Sequence, residues 1–153
     1  MDVSVRLEEI TEDNWRDIVL LTTEDSGMPR VLEQYVASNA LSIVQAAYEG
    51  TWTVNAVYCG KRPVGFVMYG YCREHDCYEL CRLMIDHNHQ GKGFGSIALK
   101  LVIEEMAEIE DCTEIYLSVN PENIRGKHIY EKAGFVKTGE VWDNEEVYCL
   151  HLM

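Results

Sequence analysis

Residues 77–107 read CYELCRLMIDHNHQGKGFGSIALKLVIEEMA, and the way this stretch divides decides the fold. Residues 77–86 read as a strand. Leu83, Met84 and Ile85 follow one another without a polar break, so this half of the strand is expected to be buried on both faces. Gln90-Gly91-Lys92-Gly93-Phe94-Gly95 forms a glycine-rich loop. From Gly95 to Ile109, apolar residues at 98, 99, 101, 102, 103, 106 and 109 predict a long helix with a wide buried stripe. Glycines let a loop backbone approach a ligand and point several N–H groups inward. The helix that follows adds unpaired first-turn N–H groups and a positive dipole end. Strand, loop and helix together make a site for an anion, most often a phosphate, and Lys92 and Ser96 are placed to add side-chain contacts.

Two phosphate motifs do not fit. A P-loop needs Lys-Ser or Lys-Thr after its last glycine, whereas Gly95 is followed by Ser96-Ile97. A dinucleotide fingerprint needs a third glycine where Ser96 stands, and an acidic residue at the end of the next strand, where Asn120 stands.

Upstream, residues 3–10 alternate as a strand. Thr11 is the expected N-cap of a helix carrying Trp15, Ile18, Val19 and Leu21 and ending at Gly27. A second helical stretch runs from about Pro29 to Tyr48, with Asn39 suggesting a division into two pieces. Residues 53–59 and 63–72 read as a hairpin around Gly60–Pro63. Downstream come a strand at 114–119, a helix at 123–133 closed by Gly134, and strands at 135–142 and 146–152 flanking an Asp143-Asn144 turn. The order β-α-α-β-β-β-α-β-α-β-β predicts an α+β (mixed α/β) sheet with helices packed on it. Its β-α-β unit makes two strands parallel.

The 153 residues are 47% apolar and 25% charged, the balance of one globular domain with a real core. No apolar run approaches the roughly 18 residues of a membrane helix, and MDVSVRLEEI lacks the marks of a signal peptide. A net charge of −13 argues against nucleic acid and anionic membranes as partners and favours small cationic ones. The six cysteines form no Cys-x-x-Cys pair and are expected to be reduced thiols in a cytoplasm. His87 and His89 flank Asn88 without further ligands nearby, so no metal site is expected.

Gln90, Gly93 and Gly95, in the pattern Gln-x-x-Gly-x-Gly between a strand and a helix, resemble the acetyl-CoA motif of the GNAT superfamily of N-acetyltransferases. The stretch from Asn123 through Tyr130 to Gly134-Phe135 is similar to that family's downstream helix, with Gly126 where alanine is more usual. The resemblance covers nearly the whole chain and implies a single N-acetyltransferase domain over 1–153. It implies a GNAT-like fold: a central twisted mixed sheet with the fourth and fifth strands splayed and helices on both faces. Acetyl-CoA would lie in the V, its pantetheine paired with the backbone of Met84 and Ile85. Its pyrophosphate would sit on amides of Gln90, Gly91, Lys92, Gly93, Phe94, Gly95 and Ser96. Asn123 would touch the cofactor, with Lys132 or Lys127 near its phosphates.

Acetyl transfer needs a neutral amine, a polarised carbonyl and a proton for the leaving thiolate. A phenol of pKa near 10 is protonated at neutral pH, and with the resemblance Tyr130 is the candidate general acid. An alkylamine of similar pKa is only about one part in a thousand neutral at pH 7, a penalty of roughly 4 kcal/mol. Glu79, on the strand where relatives often carry a carboxylate, is the candidate base; Cys81 shares its side of the strand. Gln34–Ser42 and Pro63–Gly70 resemble segments of bacterial spermine/spermidine acetyltransferases. A polyamine calls for carboxylates and aromatic faces, and Glu33, Tyr35, Tyr71, Glu79 and Trp142 are candidate liners. An aminoglycoside, amino-acid or protein N-terminal acceptor stays open, as does a non-catalytic acyl-CoA or polyamine sensor. Relatives are often dimers, and the hairpin 135–152 is the candidate interface.

Overall fold

A computed structural model of the chain describes residues 4–23 and 38–153. The described strands are β1 (Val5–Glu9), β2 (Trp52–Cys59), β3 (Arg62–Cys72), β4 (Cys77–Ile85), β5 (Glu114–Val119), β6 (Val136–Trp142) and β7 (Glu145–His151). The helices are α1 (Trp15–Val19), α2 (Asn39–Glu49), α3 (Phe94–Ala107) and α4 (Ile124–Lys132). The sheet order is β1-β2-β3-β4-β5-β7-β6. Every neighbouring pair is antiparallel except β4 and β5, which are parallel as the β-α-β reading requires.

Alternation along the strands divides the core between the two faces of the sheet. Val57, Val67 and Tyr69 face a cluster built on Phe94, Ala98, Leu99, Val102 and Met106 of α3, against which Ile129 and Tyr130 of α4 also pack. Ala56, Phe66 and Met68 face the other way, onto Ile18 of α1 and Ala46 of α2. Both faces of the sheet are therefore covered by helices.

The first helix is shorter than predicted, and Thr11 is not its N-cap. Asn14 accepts a hydrogen bond from the Thr11 amide through Oδ1, and its Nδ2 donates to the Glu9 carbonyl. Those bonds hold 11–14 as a turn, so α1 begins only at Trp15. After Leu20 the chain leaves the helix and is tied to the end of β4. The Thr22 amide donates to Asp86 Oδ1 at 2.9 Å, and the His87 amide donates to the Thr22 carbonyl at 2.8 Å. The described part of the next helical stretch begins at Asn39, where the Ser38 hydroxyl accepts from the Leu41 amide and caps α2; the expected part before it lies outside the described residues. Gly27 and Pro29 lie outside the described residues. At the C-terminal hairpin Asp143 and Asn144 both take positive φ, 47° and 68°, as a tight two-residue β-turn demands.

Two irregularities shape β4. Its register against β3 steps between Met68↔Arg82 and Tyr69↔Leu80, which leaves Cys81 unopposed as a bulge. The extra residue exchanges the faces: Tyr78 and Leu80, then Leu83 and Ile85, look onto the α3 cluster, while Cys81 and Met84 look onto the α1/α2 cluster. Leu83, Met84 and Ile85 are half-buried rather than buried, because one edge of the strand is open. That opening is the second irregularity: β4 and β5 share a single ladder pair, Glu79↔Tyr116. Beyond it they part.

The backbones of β3 and β4 are tightest at Gly65, where a Cβ would stand 2.4 Å from the Met84 carbonyl oxygen. Gly65→Ala is expected to cost about 1–3 kcal/mol of stability, the range of overpacking. A urea titration showing an unchanged midpoint would contradict this account of β4.

Candidate active site

The loop after β4 and the start of α3 form the first part of the site. Asp86 holds the turn His87–His89 by accepting from the Asn88 amide. Gln90 donates through Nε2 to the Ile85 carbonyl at 3.0 Å, which fastens the loop back onto β4. Its Oε1 accepts from Arg125 of α4 at 3.4 Å. Gly91 and Gly93 take φ of 80° and 85°, and a Cβ at either would meet only open space. Glycine is thus required there by backbone conformation and not by crowding. Gly93 is the N-cap of α3 and offers no side chain to its first-turn amides, so those donors face outward beside an open surface. Lys92 and Ser96 are exposed, whereas Phe94 turns its ring into the core; only the Phe94 backbone is available to a ligand.

Gly95 is clasped between β4 and α4: a Cβ there would lie 3.7 Å from both Ile85 and Ile129. This contact brings α4 against the glycine loop. Asn123 caps α4 by accepting from the Gly126 amide at 2.9 Å. A Cβ at 126 would be 2.6 Å from Asn123 Nδ2, so glycine at that position accommodates this cap. Lys127 is directed elsewhere, to Glu146 at 2.7 Å. Lys132 is exposed at the end of α4. An unpaired β4 edge at Met84 and Ile85, a glycine cradle and an uncapped helix start fit a long ligand with an extended amide arm and a pyrophosphate, as in acetyl-CoA. The arm would add to the β4 edge as a strand does, and the phosphates would take the N–H groups at α3.

On the α1/α2 face the parting of β4 and β5 opens a cavity of about 850 Å³. Its walls come from the end of α2, the β3–β4 turn, β4, the end of β5 and the β6–β7 turn. Among the described residues five carboxylates line it, from Glu49, Glu74, Glu79, Asp143 and Glu145, against Arg73 and Arg82. Glu79 is 7% exposed. Burial pushes its carboxyl above the usual carboxylate range, partly opposed by contacts with Cys72, His75 and Arg82. Cys81 lines the same cavity, with its thiol pushed up to about 12 by burial. Trp142 forms one wall and stacks on the His75 ring, with centroids 3.7 Å apart and planes within 8°.

Tyr130 is half-buried, edge-on to Phe135 at 6.0 Å. Burial, and then the charge of Glu145, push its phenol up to about 12. Glu145 is held in the cavity wall by the Ser118 hydroxyl at 2.8 Å. Tyr71 lines a smaller adjoining cavity of about 350 Å³ and not the large one; its hydroxyl is bonded to Asp76. Glu33 and Tyr35 lie outside the described residues.

Sequence reasoning missed Glu49, Glu74, Asp143, Glu145 and Arg125, whose positions depend on distant elements meeting. It also missed the grouping of Cys72, His75 and Glu79, whose ligand atoms lie within 4.8 Å of one another and could hold a metal. The spacing Cys-x-x-His-x-x-x-Glu was the available signal. Among the described residues, no helix is long and apolar enough to cross a membrane.

Residues 7–135 match the sequence family described as "Acetyltransferase (GNAT) family". The spermine/spermidine N(1)-acetyltransferase of Bacillus subtilis (strain 168) is 31% identical over 150 residues, covering 94% of this chain and 95% of that protein. The crystal structure of spermidine N-acetyltransferase from Vibrio cholerae, in complex with CoA and spermine, superposes with a TM-score of 0.71 at 22% identity. It covers 95% of this chain and 92% of that one. An aminoglycoside acetyltransferase solved with coenzyme A superposes at 0.74 with 18% identity, over 97% and 95%. At these identities the two structures share the fold.

Glu79 gives a test through stability. Its raised pKa means that its contribution is fully present below the ordinary carboxyl value and is lost as pH rises through the folded-state value. Glu79→Gln is therefore expected to be more stable than the parent at neutral pH, and nearly equal to it at about pH 4. Urea midpoints at the two pH values check this; equal midpoints at neutral pH would show that the carboxylate carries no burial cost.

Proposed function

The chain belongs to the GNAT family of acetyl-CoA-dependent N-acetyltransferases, and from that premise we propose that its acceptor is a polyamine of the spermine and spermidine class, with Tyr130 as general acid and Glu79 as base. The observation that carries the acceptor is the cavity of about 850 Å³ walled by five carboxylates. A chain bearing two to four ammonium groups can be matched along its length by these carboxylates, the attraction being strongest at the buried Glu79 and the half-buried Glu145. The stacked Trp142 adds an aromatic wall of the kind that favours cations. The B. subtilis relative, similar over nearly the whole chain, carries the same substrate class in its name.

Acetyl-CoA supplies an acetyl group activated as a thioester. Met84, Ile85 and the amides from Gln90 to Ser96 are the groups that would hold it, with Gln90 and Arg125 fixing the loop. Glu79, buried in the cavity wall with its carboxyl above the usual range, is suited to take the proton of an incoming ammonium. The same shift makes the amine-accepting form ionise at a higher pH than an ordinary carboxylate, so kcat/KM should fall on the acid side through that raised value. Tyr130 stays protonated throughout the neutral range because its pKa is pushed up to about 12, and it can donate to the leaving sulfur. It would take its proton back from solvent after product release.

Release of CoA measured with spermine, spermidine, putrescine, an aminoglycoside, amino acids and peptides tests the acceptor. Turnover confined to the polyamines is expected. Turnover with none of them, while acetyl-CoA still binds, would remove the polyamine reading and leave an acceptor outside this panel or a sensor. Tyr130→Phe should lower kcat by about 10²–10⁴-fold while CoA affinity stays within a few-fold. Full turnover in this variant would discard Tyr130 as the acid.

A further inference from the structure

We propose that Cys72, His75 and Glu79 form a binding site for a tetrahedral divalent cation of zinc's kind, with its fourth position open to the amine cavity. The three residues come from the end of β3, the turn after it and the adjacent part of β4. His75 Nδ1 lies 3.5 Å from Cys72 Sγ and 3.5 Å from Glu79 Oε1. With zinc–sulfur, zinc–nitrogen and zinc–oxygen bonds of about 2.3, 2.05 and 2.0 Å, the ligands of a tetrahedral ion stand about 3.3–3.6 Å apart. The two measured edges have that length without any movement.

The same geometry is poor as a hydrogen-bond network. One ring nitrogen can accept from the thiol or donate to the carboxylate, and it cannot do both. Among the described residues Glu79 Oε1 makes no close hydrogen bond although it is buried, standing 3.5 Å from His75 Nδ1. An unpartnered buried carboxylate oxygen normally needs an explanation, and a cation shared with Nδ1 and Sγ supplies one. The Trp142 ring stacked on His75 holds the imidazole plane, the orienting task usually given to outer partners of a metal ligand. One sulfur, one nitrogen and one oxygen, with a fourth position facing a solvent-filled cavity, make a donor set of the kind zinc takes in open sites. Binding would release the thiol proton to solvent.

If Glu79 is the base, as the proposed function has it, a bound cation lowers the proton affinity of the carboxylate that must take the amine proton. Metal binding should then suppress acetyl transfer.

The test is a Co²⁺ titration of the full chain, reduced and freed of metal by a chelator, followed by visible and near-ultraviolet absorption. One equivalent should produce intense tetrahedral bands together with thiolate-to-cobalt charge transfer, and Zn²⁺ should displace them. Cys72→Ser should abolish the charge-transfer band. His75→Ala, on the turn and tolerant of replacement, should weaken affinity by at least the ten- to hundredfold of a lost outer partner. Cys149→Ser, at the separate group Glu114, Cys149 and His151, should change nothing. Absence of tetrahedral bands, or bands that survive both Cys72→Ser and His75→Ala, would overturn the site. Bands lost in those variants, with acetyl transfer insensitive to Zn²⁺, would support the site and remove Glu79 as the base, so the two readings fail separately.

Discussion

The parting of β4 and β5 is the constraint on which the rest of the molecule depends. The two strands share one ladder pair, Glu79 with Tyr116, while each is paired along its other side, β4 with the one bulge at Cys81. A sheet that opens in its middle leaves backbone donors and acceptors that must find partners elsewhere. It also leaves a gap through which the two faces of the sheet communicate. The glycine loop and the start of α3 lie at the β4 end of this gap, α4 lies against that loop through Ile129 and Gly95, and the carboxylate-lined cavity opens beside it. A donor held along the β4 edge and an acceptor held in the cavity would meet near where Glu79 stands.

The cavity gathers like charges at a cost to stability. Glu79 is buried with its carboxyl pushed above its usual range, and His75 and Arg82 offset only part of that burial. Tyr130 shows the same coupling from the other side: burial and Glu145 hold its proton in place. Environment sets the two groups apart: the Tyr130 phenol is kept protonated and the Glu79 carboxyl is raised above its usual range.

Particular residues show how far local pattern reaches. The apolar stripe of α3, the Gln90–Gly95 loop and the Asp143-Asn144 turn were legible because each depends on residues close in the chain. Gly91 and Gly93 sit at positive φ, and the turn takes the positive angles its sequence predicts. Thr11 was misread because Asn14 turned its side chain back onto Glu9 and Thr11; short polar side chains offer the backbone several competing bonds. The half-burial of Leu83, Met84 and Ile85 was not legible, since an apolar run cannot tell that one edge of its strand lacks a neighbour. The bulge at Cys81 was equally hidden, and it decides which side chains of β4 face the cavity.

By itself the sequence determined the order of the described strands and helices, the parallel β4–β5 pair and the glycine loop between β4 and α3, because helical period, strand alternation and glycine conformation are local properties of a chain. Only the tertiary structure decided which carboxylates share a cavity, that Lys127 turns to Glu146, and that ligand atoms of Cys72, His75 and Glu79 come within 4.8 Å of one another. Those facts depend on where separate elements come to rest against one another, and long-range packing leaves no periodic trace in the order of residues.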